Sequence, residues 1–319
     1  MRIEENRLIF APQPGVQCHA SHFLLLDQGG VMAVWFQGSR EGADDVCIYG
    51  ARRGAAGDFT PGVRLTPQDG LPHWNPVLCR AGDGAILLFY KVGRVIAHWR
   101  TMVMRSVDEG QTWEETRELV RGDEGGRGPV RNKVLRLSDG SLLAPASTEE
   151  GEWICFMDRS CDDGRTWTRT ADIRLENIPD APSPCGIIQP TLWEDARGVV
   201  HALFRSTQGV LYRADAQERG RIWGKPYPTD IPNNNSGVDL AGDGETLYLV
   251  CNPVGKNWGA RTPLSVLCSK DNGDHWALLT HLVTSPGEYS YPAVRFAEGC
   301  LHITHTDCRS SIRYWKLRF

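Results

Sequence analysis

Ser106-Val-Asp108-Glu-Gly110-Gln-Thr112-Trp113 decides the fold, because the same turn returns as Ser160-Cys-Asp162-Asp-Gly164-Arg-Thr166-Trp167, Ala216-Gln-Glu218-Arg-Gly220-Arg-Ile222-Trp223 and Ser269-Lys-Asp271-Asn-Gly273-Asp-His275-Trp276. The copies begin at 106, 160, 216 and 269, steps of 54, 56 and 53 residues. A near-constant period of this size marks a repeat whose units cannot bury their apolar faces alone and must stack on one another. In each good copy the Asp can hydrogen-bond the turn backbone, Gly supplies a positive φ, and Trp covers the sheet beneath. The role of these turns is structural.

A second repeat counts the units. Turns ending in Gly and followed by an apolar run recur at Asp27-Gln-Gly-Gly30, Asp83-Gly84, Asp139-Gly140, Arg197-Gly198, Asp243-Gly244 and Glu298-Gly299, which makes six. Asp-Gly and Gly-Gly between apolar runs are strong hairpin signals. The stretch from Tyr289 to Phe319 holds only about three strands' worth of residues, while Asn6-Arg-Leu-Ile-Phe10 is an orphan strand at the other end. The expected fold is all-β, a six-bladed β-propeller whose last blade is completed by the N-terminal strand, with 1–319 as one domain. No long segment of helical period interrupts it.

Composition narrows the partners. A formal net charge of -4 and a pI near 6.1 disfavour nucleic acid. No run of about 18 apolar residues is present to span a membrane. The start Met-Arg-Ile-Glu-Glu-Asn-Arg lacks an apolar leader, so the chain reads as cytoplasmic, or as secreted had a signal peptide been removed. Cys47, Cys79, Cys155, Cys251 and Cys268 sit in predicted strands without CxxC spacing, which reads as reduced core thiols. No cofactor is expected.

In such a ring the residues entering each innermost strand face the ligand mouth. These are His19 and His22, Trp74-Asn75, Arg131-Asn132-Lys133, Gln189, Asn233 to Ser236, and Glu288-Tyr289-Ser290-Tyr291. Almost all are polar, which suits a polyhydroxylated ligand, although polar groups also line water-filled channels. His19 and His22 could form a metal pair, but no third ligand shows a recognisable spacing. Lys91 and Lys133 read equally well as solvated strand ends. Trp99, Trp153 and Trp258 are candidate stacking platforms.

The repeated turn resembles the Asp box, or BNR repeat, of the sialidase (neuraminidase) superfamily, and the order of the units extends that resemblance over nearly the whole chain. The resemblance implies an exo-glycosidase that releases a terminal acidic sugar from a glycan. Its substrate carboxylate is gripped by three arginines, an Asp is the general acid, and a Tyr activated by a Glu is the nucleophile. Phe204-Arg205-Ser206 and Arg261-Thr-Pro-Leu look like two of the arginine positions, and Tyr289-Ser290 looks like the nucleophile motif. Trp35-Phe-Gln-Gly-Ser-Arg40-Glu-Gly-Ala-Asp44-Asp45 resembles the loop with a further substrate-binding Arg, here Arg40, and the acid, here Asp45 in preference to Asp44. Trp74-Asn75-Pro76 falls where the family has an apolar residue, Asp and Pro contacting the sugar ring. Asn132, Gln189 and Tyr291 join Trp74, Asn75, Arg40, Arg205 and Arg261 as substrate-binding candidates.

Two departures bear on mechanism. His19-Ala20-Ser21 stands where the family has Arg-Ile-Pro, and Ile188-Gln189-Pro190 where it has its Glu. Glutamine cannot accept a proton, and a Tyr of reference pKa about 10 needs help to attack at neutral pH. His19, His22 and Glu288 are the candidate bases. The alternatives are a polysaccharide lyase that cleaves uronic-acid glycans by β-elimination, and a non-catalytic glycan-binding propeller.

Overall fold

The computed structural model describes residues 1–176 and 184–319. Its strands fall into six antiparallel groups. The first comprises Gln17–Leu25, Val31–Gly38, Cys47–Arg53 and Val63–Arg64, and the second His73–Arg80, Ile86–Val92, Arg100–Ser106 and Arg117–Glu118. Leu135–Arg136, Leu142–Glu150, Glu152–Ser160 and Thr168–Arg169 form the third; Cys185–Glu194, Val200–Ser206 and Val210–Gln217 lead the fourth. A short parallel pairing, Glu152 with Cys185 and Trp153 with Gly186, joins these two into one nine-stranded sheet. Asp239–Gly242, Leu247–Cys251, Leu264–Ser269 and Ala277–Val283 are the fifth group. In the sixth, Tyr289–Ala297, Cys300–Asp307 and Ser311–Arg318 are followed by the N-terminal strand Arg2–Leu8, paired antiparallel with Ser311–Arg318. That strand starts and ends earlier than the sequence suggested: Phe10 lies outside it and stacks on Trp35 instead, 4.7 Å between centroids. Helix among the described residues is limited to two single 3₁₀ turns, Asp27–Gly29 and Ile96–His98.

Apolar burial explains the layering. Second strands such as Ile86–Val92 are buried along their whole length, as expected for a run covered on both faces, whereas the outer strand Ala277–Val283 is mostly exposed. Leu78 and Ile86 pack against Leu24 and Ile48, joining the second group to the first. Trp167 and Leu142 pack against Phe89, and Leu192 and Phe204 against Met157. Trp193 meets Leu249, Val250 meets Ile303, and Phe23 and Trp35 of the first group meet Ala293 and Tyr314 of the sixth. Each group is thus seated on the next, and the last on the first.

The repeated turns clamp these seams. Ser106 Oγ accepts the Gly110 N–H at 2.9 Å, while Asp108 accepts Thr112 N–H at 2.9 Å and the Thr112 hydroxyl at 2.6 Å. The turns at Ser160 and Ser269 repeat this, with His275 replacing the threonine in the last. A Cβ added at Gly110 would come within 2.4 Å of Met32 Sδ, and at Gly164 within 2.9 Å of Leu87, both on the preceding group. Glycine is required there for space as well as for its φ of 77° and 86°.

The first strands of four groups share a bulge. Pairing slips between His19 and His22, Trp74 and Val77, Ile188 and Thr191, and Ser290 and Ala293, and the slip contains Ala20, Asn75, Gln189 and Tyr291 at φ 52°, 43°, 51° and 55°. Proline follows three of them, at Pro76, Pro190 and Pro292, where the ladder asks for no N–H. A bulge re-aims its side chain, and the left-handed backbone costs about 1–3 kcal/mol at each non-glycine residue.

Two stability predictions follow from buried polar groups. Asp239 accepts Lys133 Nζ at 2.6 Å, Thr191 Oγ1 at 2.7 Å and the Val294 N–H at 2.8 Å, joining three groups to its own. Asp239→Asn leaves the Lys133 ammonium without its counter-charge and is expected to lower unfolding stability by about 3–5 kcal/mol, read by urea titration. Burial also holds His302 and His305 down to about 4, and His305 Nε2 accepts the Trp315 indole N–H at 3.0 Å. A depressed histidine contributes stability that is complete above its unfolded value of 6.5 and is lost as pH falls from there toward about 4. Each should add a slope of about 1.4 kcal/mol per pH unit in that window, and His305→Gln should remove one such share.

Candidate active site

Tyr291 occupies the bulge of the last group, and basic side chains from three other groups converge on it. Arg205 Nη1 donates to its hydroxyl at 2.8 Å. The guanidinium carbons of Arg131, Arg261 and Arg205 lie 5.0, 5.3 and 5.7 Å from its ring centre. The His19 ring stands 4.1 Å away, tilted by 45°.

Each of these groups is held by a second partner. Arg205, buried at the end of Val200–Ser206, also donates to Gln189 Oε1 at 3.0 Å and, through Nε, to Asn235 Oδ1 at 2.9 Å. Asn235 sits in a run of Asx turns, Asn235 N–H to Asn233 Oδ1 and Ser236 N–H to Asn234 Oδ1, which aim it inward. Arg131 donates to the carbonyls of Val238 and Pro292, and its Nε has no partner among the described residues. Burial pulls its pKa down to about 10, so it remains a cation at neutral pH. His19 Nδ1 pairs with Thr306 Oγ1 at 2.8 Å and Nε2 is buried without a partner among the described residues. Burial first, then Arg309, Arg261, Arg131 and Arg205, keeps His19 well below 6.5 and therefore neutral.

Other residues picked out from the sequence stand elsewhere. Tyr289 is not in this cluster: its hydroxyl pairs with Ser285 Oγ at 3.1 Å and its ring packs at the fifth-to-sixth seam, edge-on to His305. Both oxygens of Asp45 are taken by Ser39, by its N–H and its hydroxyl at 2.9 Å each, and Asp44 pairs with Arg94. Arg40 is exposed. Trp74 is a wall residue, packed on Phe36 and Trp99 with its indole N–H on the Gly93 carbonyl. Asn132 spends its amide N–H groups on the carbonyls of Gln189 and Pro190, both at 3.0 Å. Asn75 is buried on its own bulge. Glu288 Oε1 accepts from Arg261 and Arg309 and is not bonded to a tyrosine. His22 Nδ1 accepts the Leu78 N–H at 3.2 Å, and no metal-ligating cluster is found among the described residues. Lys91 and Lys133 are not solvated strand ends; Lys91 is fully buried on Thr101 Oγ1 and two carbonyls, and burial lowers it to about 7. All ten cysteines are free.

Three groups emerge from the geometry alone. Arg131 looked like one polar entry among many, Arg309 lies in a turn far along the chain, and Glu149 sits at a strand end. Glu149 lies two residues past Ser147, whose hydroxyl accepts the Gln189 N–H, so both share the strand face toward Gln189. Burial raises the Glu149 carboxyl above 4.5 against the lowering pull of Arg205. Trp258 is the exposed aromatic of the candidate platforms, edge-on to buried Trp153 and next to Asn257, which accepts from Asn235. A cavity of about 1090 Å³ opens at the opposite ends of the same strands, lined by Leu24, Arg80, Lys133, Leu192 and Arg295 among others, and holds none of the Tyr291 cluster.

Comparison with known proteins places this geometry. Residues 29–303 match the family model described as BNR repeat-like domain. A search of curated proteins gives no match. Among solved structures, a protein of unknown function from Dyadobacter fermentans is similar at TM-score 0.81 and 12% identity, covering 100% of this chain and 99% of its own. A Hadza microbial sialidase is similar at TM-score 0.75 and 14% identity, with 95% and 66% covered. The NanB sialidase of Streptococcus pneumoniae is similar at 0.74 and 13%, with 98% and 70% covered. A leech intramolecular trans-sialidase follows at 0.73 and 12%, with 98% and 70% covered. Identities this low speak for a shared fold.

Proposed function

We propose that this chain, which belongs to the BNR repeat-like domain family, is an exo-acting glycosidase that releases a terminal acidic sugar at the mouth of a six-bladed propeller. The six seams that seat each group on the next, and the last on the first, support the propeller. The placement of Tyr291 carries the function: a bulged aromatic with its hydroxyl fixed by Arg205 and guanidiniums around its ring. Such a setting favours an anionic substrate and a charge-separated transition state.

In this reading Arg205 and Arg261 hold the sugar carboxylate. Tyr291, in place of Tyr289, attacks the anomeric carbon as the glycosidic bond breaks, giving a tyrosyl-glycoside that water then hydrolyses. Gln189 orients Arg205 and takes no proton. The phenolic proton passes to His19, whose Nε2 is uncommitted among the described residues and whose ring is neutral. Glu149 protonates the leaving oxygen in place of Asp45, since a carboxyl with a raised pKa can donate while one held by its own loop is otherwise engaged.

A second reading, β-elimination from a uronic acid, draws on one observation: among the described residues no carboxylate is bonded to the Tyr291 hydroxyl, whereas His19 lies against its ring. His19 would then take the proton at carbon 5 and Tyr291 would deliver one to the leaving oxygen. Products from sialylated and uronate-capped oligosaccharides in heavy-oxygen water separate the two by mass. A released acid sugar with one heavy oxygen means hydrolysis, and a product lighter by one water means elimination. An untouched panel would remove the enzymatic reading in favour of glycan binding.

Tyr291→Phe is expected to lower turnover by about 10²–10⁴-fold while Tyr289→Phe stays within about threefold of the parent; equal effects would refute the assignment. Because Glu149 acts in its protonated form, activity should fall as pH rises through its raised pKa, and Glu149→Gln should lower the rate and abolish that limb of the pH profile.

A further inference from the structure

Glu288 and Arg309 remain outside the chemistry above, yet they meet at the edge of the cluster. A single oxygen, Glu288 Oε1, accepts from Arg261 Nη1 at 2.6 Å and from Arg309 Nε at 2.8 Å. Arg309 reaches there from the turn between Cys300–Asp307 and Ser311–Arg318, where Cys308 and Arg309 are both left-handed at φ 49° and 53°. Its Nη1 is on Glu41, from the loop after Val31–Gly38. The Arg261 guanidinium is the one that also faces Tyr291, 5.3 Å from the ring centre. The Glu288 side chain is 31% exposed and has no hydrogen bond to its second oxygen among the described residues. An acid bridged through one oxygen and open to solvent can leave by side-chain rotation, without movement of a strand.

We propose that Arg309 joins Arg205 and Arg261 in seating the carboxylate, that Glu288 occupies the Arg261–Arg309 side of that seat as a built-in competitor, and that an incoming acidic sugar displaces Glu288 to bind. This rests on the acidic-sugar reading and deepens it. Arg309 supplies, from a different turn, a guanidinium beside His19, whose own ring is neutral and cannot neutralise a carboxylate. A ligand carboxylate has two oxygens to offer where Glu288 uses one, so it can engage both arginines in the paired geometry that guanidinium favours. Affinity is then set by exchange of one carboxylate for another, and it discriminates against sugars lacking the acid.

The test is binding of N-acetylneuraminic acid, its methyl ester and pyruvate, by calorimetry and ligand-observed NMR. The proteins are the parent and Glu288→Gln, Glu41→Gln, Arg309→Met and Arg309→Lys, each first checked by near-ultraviolet circular dichroism. Glu288→Gln is expected to bind the acid about 10-fold more tightly than the parent, and by more than Glu41→Gln, which measures the bare effect of removing one charge from Arg309. Arg309→Met should weaken the acid by about 10-fold or more without changing the ester, with part of the loss restored by Arg309→Lys. Pyruvate binding that tightens in Glu288→Gln, with no sugar bound, upholds the seat while overturning the sugar. Acid binding that neither Glu288→Gln nor Arg309→Met alters upholds the sugar and overturns the seat. Glu288→Gln weaker than the parent would make Glu288 a strut that positions the arginines, and no carboxylate bound by any variant would overturn both readings.

Discussion

One carboxylate holds the centre of this molecule. Asp239 takes a proton donor from Lys133, one from Thr191 and one from the Val294 backbone, so the third, fourth, fifth and sixth groups are fixed to one another through it. Each donor lies a few residues past a side chain of the Tyr291 cluster: Arg131 precedes Lys133, Gln189 precedes Thr191, and Tyr291 precedes Val294. The relative position of the arginines and Tyr291 therefore depends on a polar contact made one step deeper in the same strands. Low-dielectric surroundings strengthen such a contact and make any unpaired member costly, so the arrangement is rigid or absent.

Charge is unevenly distributed around that hub. Arg131, Arg205, Arg261 and Arg309 gather near Tyr291 and His19, while Glu288 and Glu41 serve only Arg261 and Arg309. Arg131 and Arg205 are held by carbonyls, three side-chain amides and a phenol, none of which cancels their charge. Neutral donors and acceptors thus orient the cations and leave their field available, which is the condition for pre-organised binding of an anion. Burial and that same field together keep His19 neutral.

The repeats made the architecture legible. Period and turn chemistry revealed the stacking units, and glycine followed by an apolar run located all six hairpins, because those features are local in sequence. The Tyr291 cluster was legible only in part. Proline after Asn75, Gln189 and Tyr291 is a signal of matched bulges, and it marks Tyr291 as the bulged residue of its strand, two positions past the Tyr289-Ser290 that the family resemblance singles out. Arg309 and Glu149 could not be found that way, since what brings them to the site is the contact between groups. Lys91 and Lys133 misled for a related reason: a lysine near a strand end looks solvated until the carbonyls and carboxylate that enclose it are placed. The donors of Asn132 go to backbone carbonyls of the next group, a contact that only the packing of the groups reveals.

The sixth group has a history as well as a geometry. Its outer strand, Arg2–Leu8, is made first, and its partner Ser311–Arg318 almost last. Beside that pairing, Arg53 of the first group grips both oxygens of Glu5 at 2.7 and 2.9 Å and lies 4.9 Å from the Tyr314 ring centre, in a seam with no repeated turn to clamp it. During synthesis the leading segment must stay unpaired while five groups assemble, an exposed strand edge of the kind other chains can capture. Nearly the whole length of the chain is enclosed when it finally docks, so this step carries the largest loop-closure entropy in the fold and is placed to be the slow one.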